Sequence, residues 1–450
     1  MRRLFGTDGV RGIANLDLTP ELAFRLGFVG TRKIVGGQGR GRIILGRDPR
    51  PSGDLLEAAI ISGVCSAGVD IYKAGIIPTP AIAFLTRREG FDAGIVISAS
   101  HNPLEDNGIK FFSREGLKLS DELEEAVEEE LQLDQPFLDR PLGVRVGRCY
   151  DKSDAGELYI DHLLSTVSVN LGDFQLALDC ANGSASAIAP LVFSRLGAQV
   201  LAINTELKGD RINLECGSTH PGAIQELVRS SQVDLGVSFD GDGDRVIAVD
   251  EKGHILDGDH ILAILIYHLR HKKLLGHPLV VVTEMANIGF DMAMEKVGVK
   301  VIRTRVGDRY VLEEMIKRGA FLGGEQSGHI IFLDHSTTGD GILTALQLLQ
   351  VIKESQQPLS ELKKVMEKLP QRLANVRVKD KTGVISSPGL LERLDLYNRE
   401  LKGRGRVLAR LSGTESVVRI MVESEDEEET TRIVEELAQL ARDLDRGQEK

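Results

Sequence analysis

Short runs of apolar, β-branched residues alternate along this chain with longer stretches at helical spacing, a pattern that predicts α/β domains. R-I-I-L-G at 42–46 and G-I-V-I-S at 94–98 read as short buried strands, with a helix over 53–67 between them. Residues 121–133 predict a very acidic, exposed helix, and 135–154, with Pro136 and Pro141, predict a linker. A second unit follows, with a helix over 157–167 and strands at 175–179 and 233–239. A third opens after the turn D-E-K-G at 250–253, with a strand at 279–283 and a helix over 341–353. Pro358 and Pro370 bracket a short helix. The last unit has strands at 406–410 and 417–422 before a charged helix from 425 to about 446. The expected division is therefore 1–152, 153–252, 253–368 and 369–450. The first three units are similar in size, but their sequences are too dissimilar to assert a repeat.

Between the apolar runs at 233–239 and 246–249 lies S-F-D-G-D-G-D-R, which sets Asp240, Asp242 and Asp244 at alternate positions. Three anions this close repel one another unless a cation sits between them. Hard divalent metals take carboxylate oxygen, and Mg²⁺ in particular is held by a few carboxylates with a phosphate completing its shell. Gly241 and Gly243 allow a tight backbone path. A polar hairpin turn and a calcium loop of the D-x-D-x-D-G type are the competing readings. Glu251 falls at the twelfth position of such a calcium loop, but Arg245 stands at its sixth, where glycine is needed, and the flanks read as strands rather than helices.

Composition narrows the class. At 450 residues the chain exceeds the ~250 that a single core reaches, so several domains are expected. A net charge of −12 argues against a general nucleic-acid binder, whose phosphate partner such a surface repels. Cys65, Cys149, Cys180 and Cys216 form no C-x-x-C pair, which speaks against zinc ribbons and disulfide scaffolds. No apolar run approaches the ~20 residues of a membrane span, and the N-terminus has no apolar signal region. A cytoplasmic location is the expectation.

The 94–98 strand runs straight into A-S-H-N-P at 99–103, and open α/β sheets place their chemistry at the carboxyl ends of strands. Ser100 reads either as a turn residue or as a nucleophile beside His101, with Lys110 brought back by a turn at Asn107-Gly108. Neither G-x-S-x-G nor G-x-x-x-x-G-K-[ST] occurs, so Ser100 is neither an esterase nor a nucleotide-loop residue. F-G-T-D-G-V-R-G at 5–12 is a glycine-spaced loop ending near Arg11. R-L-S-G-T-E at 410–415, followed by Arg419, combines guanidinium, hydroxyls and free amides in a way that suits a phosphate dianion, or else forms an ordinary strand connection. G-G-E-Q-S-G-H at 323–329 suits sugar hydroxyls, or is a polar loop.

Taken in order, F-G-T-D-G-V-R-G, A-S-H-N-P, D-G-D-G-D-R, G-E-Q-S-G-H and R-x-S-G-T-E make the chain resemble the α-D-phosphohexomutases over essentially its whole length. That resemblance implies a heart-shaped four-domain architecture, three mixed α/β domains and a smaller C-terminal α+β domain. It implies a phosphoserine at Ser100, with Mg²⁺ held beside it by Asp240, Asp242 and Asp244, and Arg245 supporting the site. Arg11, His101 and Lys110 are implied in phosphoryl and proton transfer. Glu325 and Ser327 are implied on sugar hydroxyls with His329 nearby, and Arg410, Ser412, Gly413, Thr414 and Arg419 on the non-reacting phosphate. The implied reaction passes through a 1,6-bisphosphate, which also serves as activator. N-x-x-C-G-S-T-H at 213–220 resembles the glucosamine members, so glucosamine 6-phosphate and glucosamine 1-phosphate are the expected pair. The mannose and glucose phosphates are the alternative within the family, and a non-catalytic phosphosugar sensor the alternative outside it. Departures from the family pattern are Leu411, Ser416 and Ala286, which bear on loop rigidity and substrate fit. Small sugar phosphates are the expected partners, without nucleic acid or membrane; a homodimer is compatible with the reading.

Overall fold

Four sheets organise the chain, and the computed structural model describes residues 4–6, 8–36, 40–133, 140–411 and 416–447. The first sheet comprises β1 (Val10–Ile13), β2 (Arg42–Arg47), β3 (Asp70–Ile76), β4 (Ala93–Ile97), β5 (Asp106–Ser113) and β6 (Cys149–Asp151), in the order β1-β5-β4-β2-β3-β6. The second comprises β7 (Gln175–Asp179), β8 (Gln199–Ile203), β9 (Leu235–Phe239), β10 (Val246–Asp250) and β11 (Ile255–Leu256), ordered β11-β10-β9-β7-β8. The third comprises β12 (Leu279–Thr283), β13 (Lys300–Thr304), β14 (Leu322–Gly324) and β15 (Ile330–Phe332), ordered β13-β12-β14-β15.

These three sheets share one plan that their sequences do not reveal. In each, the first core strand lies between the second and third, both parallel to it, and the fourth runs antiparallel against the third. Strands buried on both faces explain the near-continuous apolar runs read in the sequence. The equivalent connection between third and fourth strands is residues 98–105 in the first sheet, 240–245 in the second and 325–329 in the third. The three loops singled out for their chemistry are therefore the same loop three times over.

Local signals set the helices. Thr19 caps Pro20–Val35 by accepting from the N–H of Leu22, and Gly36, at φ +69°, closes it. That helix packs on Ser52–Ser66 at a separation only glycine permits: a Cβ on Gly63 would lie 2.2 Å from the carbonyl oxygen of Phe24. Beneath them, Leu26, Phe28, Ile43, Leu45, Ile60 and Ile95 form the first core.

Three expectations need correcting. The acidic helix, Asp121–Leu131, is not simply exposed: Val127 and Leu131 enter the first core, and buried Glu124 accepts from Arg309 at 3.1 Å. The far end of the expected linker forms β6, because β3 offers an unpaired edge and Tyr150 stacks on Tyr72 at 5.2 Å; residues 134–139 lie outside the described residues. Asn107 and Gly108 do not form a turn. They lie within β5, paired with Gly12 and Arg11 of β1, and the reversal takes place earlier, across 98–105.

The structure divides into two compact units, residues 1–285 with 298–365, and 286–297 with 366–450. The second contains the fourth sheet, β16 (Gln371–Arg377), β17 (Gly405–Leu411) and β18 (Val417–Ser424), antiparallel in the order β16-β18-β17. The helix Glu427–Gly447 covers it through Ile433 and Leu437, against Val407, Val418 and Ile420. Among the described residues no helix is long and apolar enough to cross a membrane.

Candidate active site

Within the first unit the 98–105 and 240–245 loops meet. Ser100 is fully buried at φ +52°, and its Oγ donates to Asp240 Oδ2 at 2.6 Å. Asp240, Asp242 and Asp244 are buried with one ligand oxygen each inside a 4.8 Å cluster. Asp242 Oδ2 accepts from Lys110 Nζ at 2.8 Å and Thr79 Oγ1 at 2.7 Å, but Asp242 Oδ1 and Asp244 Oδ1 are buried without a hydrogen bond. Burial, then repulsion from Asp244 and Asp242, holds Asp240 well above the usual carboxylate range. Asp244, equally buried, is nevertheless held below that range by the Nδ1 proton of His329 and by the charges of Lys110 and Arg245.

Cations surround the cluster. Lys110 lies opposite Val96 on β5, only 2% exposed, with Asp242, Asp8 and Asp244 at 2.8, 2.9 and 3.9 Å. Burial pulls its pKa down, and those three charges outweigh it, so the ammonium is a fixed positive charge. Arg245 donates to Asp240 Oδ1 through its backbone (3.2 Å) and to His101 Nδ1 through its guanidinium (3.0 Å). Because arginine can only donate, Nδ1 is unprotonated, in keeping with a pKa pushed down to about 4 by burial, Arg245 and Arg11. Arg11 reaches Asn102 Oδ1 at 3.2 Å and pairs with Asp8.

His329, the last residue of the 325–329 loop, sits among these groups. Its Nδ1 is 3.5 Å from Asp244 and its Nε2 3.6 Å from Asp308. The two carboxylates push its pKa up to about 9 against burial, whereas the N–H of Gly339, 2.9 Å from Nε2, needs that nitrogen unprotonated. The hydrogen bond is the more direct constraint, and it leaves the ring proton on Nδ1, facing Asp244. Asp8, Lys118 and Asp308 escaped the sequence reading. Lys118 Nζ donates to Asp8 Oδ1 at 2.5 Å and to Asp308, so charges alternate from Asp242 through Lys110, Asp8 and Lys118 to Asp308. Asp8 lies inside F-G-T-D-G-V-R-G, and Asp308 inside T-R-V-G-D-R at 304–309, a stretch that also resembles the glucosamine members; nothing local marks Lys118.

Phosphoglucomutase/phosphomannomutase family models match the chain in four consecutive stretches: alpha/beta/alpha domain I at residues 2–136, domain II at 157–253, domain III at 257–369 and the C-terminal domain at 373–440. Phosphoglucosamine mutases of Desulforamulus reducens and Moorella thermoacetica are each 52% identical to it, covering 98% and 99% of this chain and 99% and 100% of their own. The chain belongs to the bacterial phosphoglucosamine mutases of the phosphohexomutase family. Solved structures agree in fold. A phosphoglucomutase/phosphomannomutase family protein from Burkholderia thailandensis matches with TM-score 0.83 at 22% identity over 99% of this chain and 98% of that one. Aspergillus fumigatus N-acetylphosphoglucosamine mutase, in complex with GlcNAc-6P and magnesium, matches with TM-score 0.67 at 19% identity over 98% and 96%.

Two further loops of this phosphohexomutase hold residues singled out in the sequence. In 325–329, Glu325 Oε1 accepts from the N–H of Gly307 at 3.2 Å, exposed Ser327 donates to Glu325 Oε2 at 3.3 Å, and Gln326 donates to Asp259 at 3.0 Å. In the second unit Arg410 and Arg419 are half-buried and lie directly opposite each other on β17 and β18. Ser412, Gly413 and Thr414 lie outside the described residues. The N-x-x-C-G-S-T-H stretch, read as a mark of the glucosamine members, here supports the serine loop: Asn213 Nδ2 donates to the carbonyl of Ser100 at 2.8 Å.

Proposed function

We propose that this phosphoglucosamine mutase interconverts glucosamine 6-phosphate and glucosamine 1-phosphate by way of a phosphorylated Ser100 and a divalent cation on Asp240, Asp242 and Asp244. The observation that carries the reading is Ser100 Oγ, 2.6 Å from Asp240 in a buried three-carboxylate cluster that keeps two oxygens without hydrogen bonds. That donor set, all oxygen and no soft ligand, fits a hard cation such as Mg²⁺. When bound, Mg²⁺ supplies positive charge at the phosphoryl oxygens.

In the forward half, the bond from Ser100 Oγ to phosphorus breaks, a bond from phosphorus to the free sugar hydroxyl forms, and the hydroxyl proton leaves to a base of the site. The resulting 1,6-bisphosphate turns over. Ser100 Oγ then takes the other phosphoryl group, and the freed sugar oxygen regains a proton. Lys110 and Arg245 are the fixed cations that stabilise the transferring charge, while His101 and Arg11 orient the loop's outer edge. Glu325 and Ser327 read sugar hydroxyls, and Arg410, Ser412, Gly413, Thr414 and Arg419 hold the non-reacting phosphate. We assign these roles to four domains at 1–152, 153–252, 253–368 and 369–450, place the enzyme in the cytoplasm, and leave homodimerisation to a sizing measurement. Intact mass and phosphopeptide mapping of active enzyme test the reading. One phosphate on Ser100 is expected, and modification of Ser98 or Ser327 instead overturns it.

A further inference from the structure

A second observation concerns what lies beneath the serine loop. Arg50 is among the largest fully buried side chains, and its guanidinium is spent on one short segment. Nε donates to Asp48 Oδ2 at 3.0 Å. Nη2 donates to the carbonyls of Ser100 and Asn102 at 3.0 and 2.8 Å, and Nη1 to those of Asp106, at 3.0 Å, and Pro103. Asp48 also accepts from Ser98 Oγ at 2.5 Å, and Ser98 Oγ in turn accepts the N–H of Ser100 at 2.9 Å. A core arginine needs one carboxylate to neutralise it, and Asp48 does that. The four carbonyl bonds are a different matter, because all fall within residues 100–106, at the reacting serine and just after it.

Ser100 occupies the left-handed region that non-glycine residues avoid, so something must hold it there. We propose that Arg50 is a positioning residue for phosphoryl transfer: it pins the carbonyls of the Ser100 loop and so aims Oγ at the carboxylate cluster. The inference rests on the reading of Ser100 as the phosphorylated nucleophile and deepens it. Only arginine offers five donors in a planar fork wide enough for this set; a lysine ammonium presents three donors from one point.

Arg50→Lys is the test, because it keeps a positive charge against Asp48 and does not strand a buried carboxylate. Misplacing a reacting group by about 1 Å costs roughly 100-fold, so kcat per folded molecule should fall by about that factor while KM for glucosamine 1-phosphate stays unchanged. The rate at which dephosphorylated enzyme regains phosphate on Ser100 from the sugar 1,6-bisphosphate should fall in parallel. If Arg50→Lys does not fold, Asn213→Ala removes the other side-chain donor to the carbonyls of Ser100 and Asn102 and should give the same split at about 10-fold. Unchanged kcat per folded molecule, or a loss confined to KM, overturns the proposal. Ser100→Ala, assayed alongside, separates the two layers. If it stays active, the phosphoserine reading fails; if it is dead while Arg50→Lys turns over normally, only the role of Arg50 does.

Discussion

Lys110→Met tests the electrostatic account of the site most directly. The ammonium is 2% exposed and lies 2.8 Å from Asp242 and 2.9 Å from Asp8, so its removal takes a buried cation away from two carboxylates. Breaking a buried pair from one side costs about 3–5 kcal/mol, since the remaining charge is desolvated and uncompensated. Here Asp8 keeps Lys118 and Arg11, whereas Asp242 keeps only the hydroxyl of Thr79 on that oxygen, so most of the cost falls on Asp242. Taking Asp242→Asn as well removes the stranded charge, and the double variant should be less destabilised than the sum of the single ones by about 1–3 kcal/mol. The pKa of Lys110 is raised above its ordinary value of ~10.4. Its contribution is therefore complete below that value and lost only as pH rises through the higher folded value, and the deficit should be flat from about pH 7 to 9. Denaturant unfolding of the metal-free proteins, followed by two probes, measures this cycle. Additive losses, or a Lys110→Met cost below about 1 kcal/mol, refute the view that Lys110 is a fixed counter-charge. Mutase turnover should be lost in either case.

Chelation should abolish activity until Mg²⁺ is returned, and Asp242→Asn should raise the Mg²⁺ concentration needed without unfolding the protein; full turnover after exhaustive chelation contradicts this. Arg410→Ala should weaken apparent binding of both monophosphates by about 1.5–3 kcal/mol, roughly ten- to hundredfold, with the Mg²⁺ requirement unchanged. His162 stacks on Phe84 at 3.9 Å and donates from Nε2 to the carbonyl of His335, and burial, with His335 and Arg88 nearby, pushes its pKa down to about 4. The unfolded chain therefore takes up this proton first, and stability falls as pH drops from about 6.5 towards 4. His162→Phe should shrink the Tm loss between pH 7 and pH 5 by at least about 2 °C; an unchanged loss removes His162 from the acid response. Against glucose 1-phosphate and mannose 1-phosphate, glucosamine 1-phosphate should show a kcat/KM at least ~10-fold higher, and equal values contradict the expected discrimination.

The chemistry was legible where it is local. Asp240, Asp242 and Asp244 announce themselves because mutual repulsion at alternate positions needs a cation wherever the loop sits, and the structure buries them as one cluster with Ser100 against it. Strand runs such as 94–98 and 233–239 were readable because burial on both faces demands unbroken apolar residues, whatever their neighbours. The exposed helix expected over 121–133 went astray because Glu124 is charged in sequence and buried in space, its partner Arg309 lying 185 positions away.

By itself, then, the sequence determined core strands such as those at 42–46, 175–179 and 279–283, the loop of three aspartates and the family. Tertiary structure alone decided that the three chemical loops are one connection repeated in three sheets, because strand pairing is a relation between segments and leaves no mark within any of them. It also decided the roles of Arg50, Lys118, Asp308 and Asn213. Arg50 and Lys118 are ordinary polar residues in their own surroundings, Asn213 and Asp308 stand out only as parts of motifs, and what each does depends on hydrogen bonds and Coulomb contacts that vanish beyond a few ångströms. Only the register of distant strands and loops brings those partners within reach.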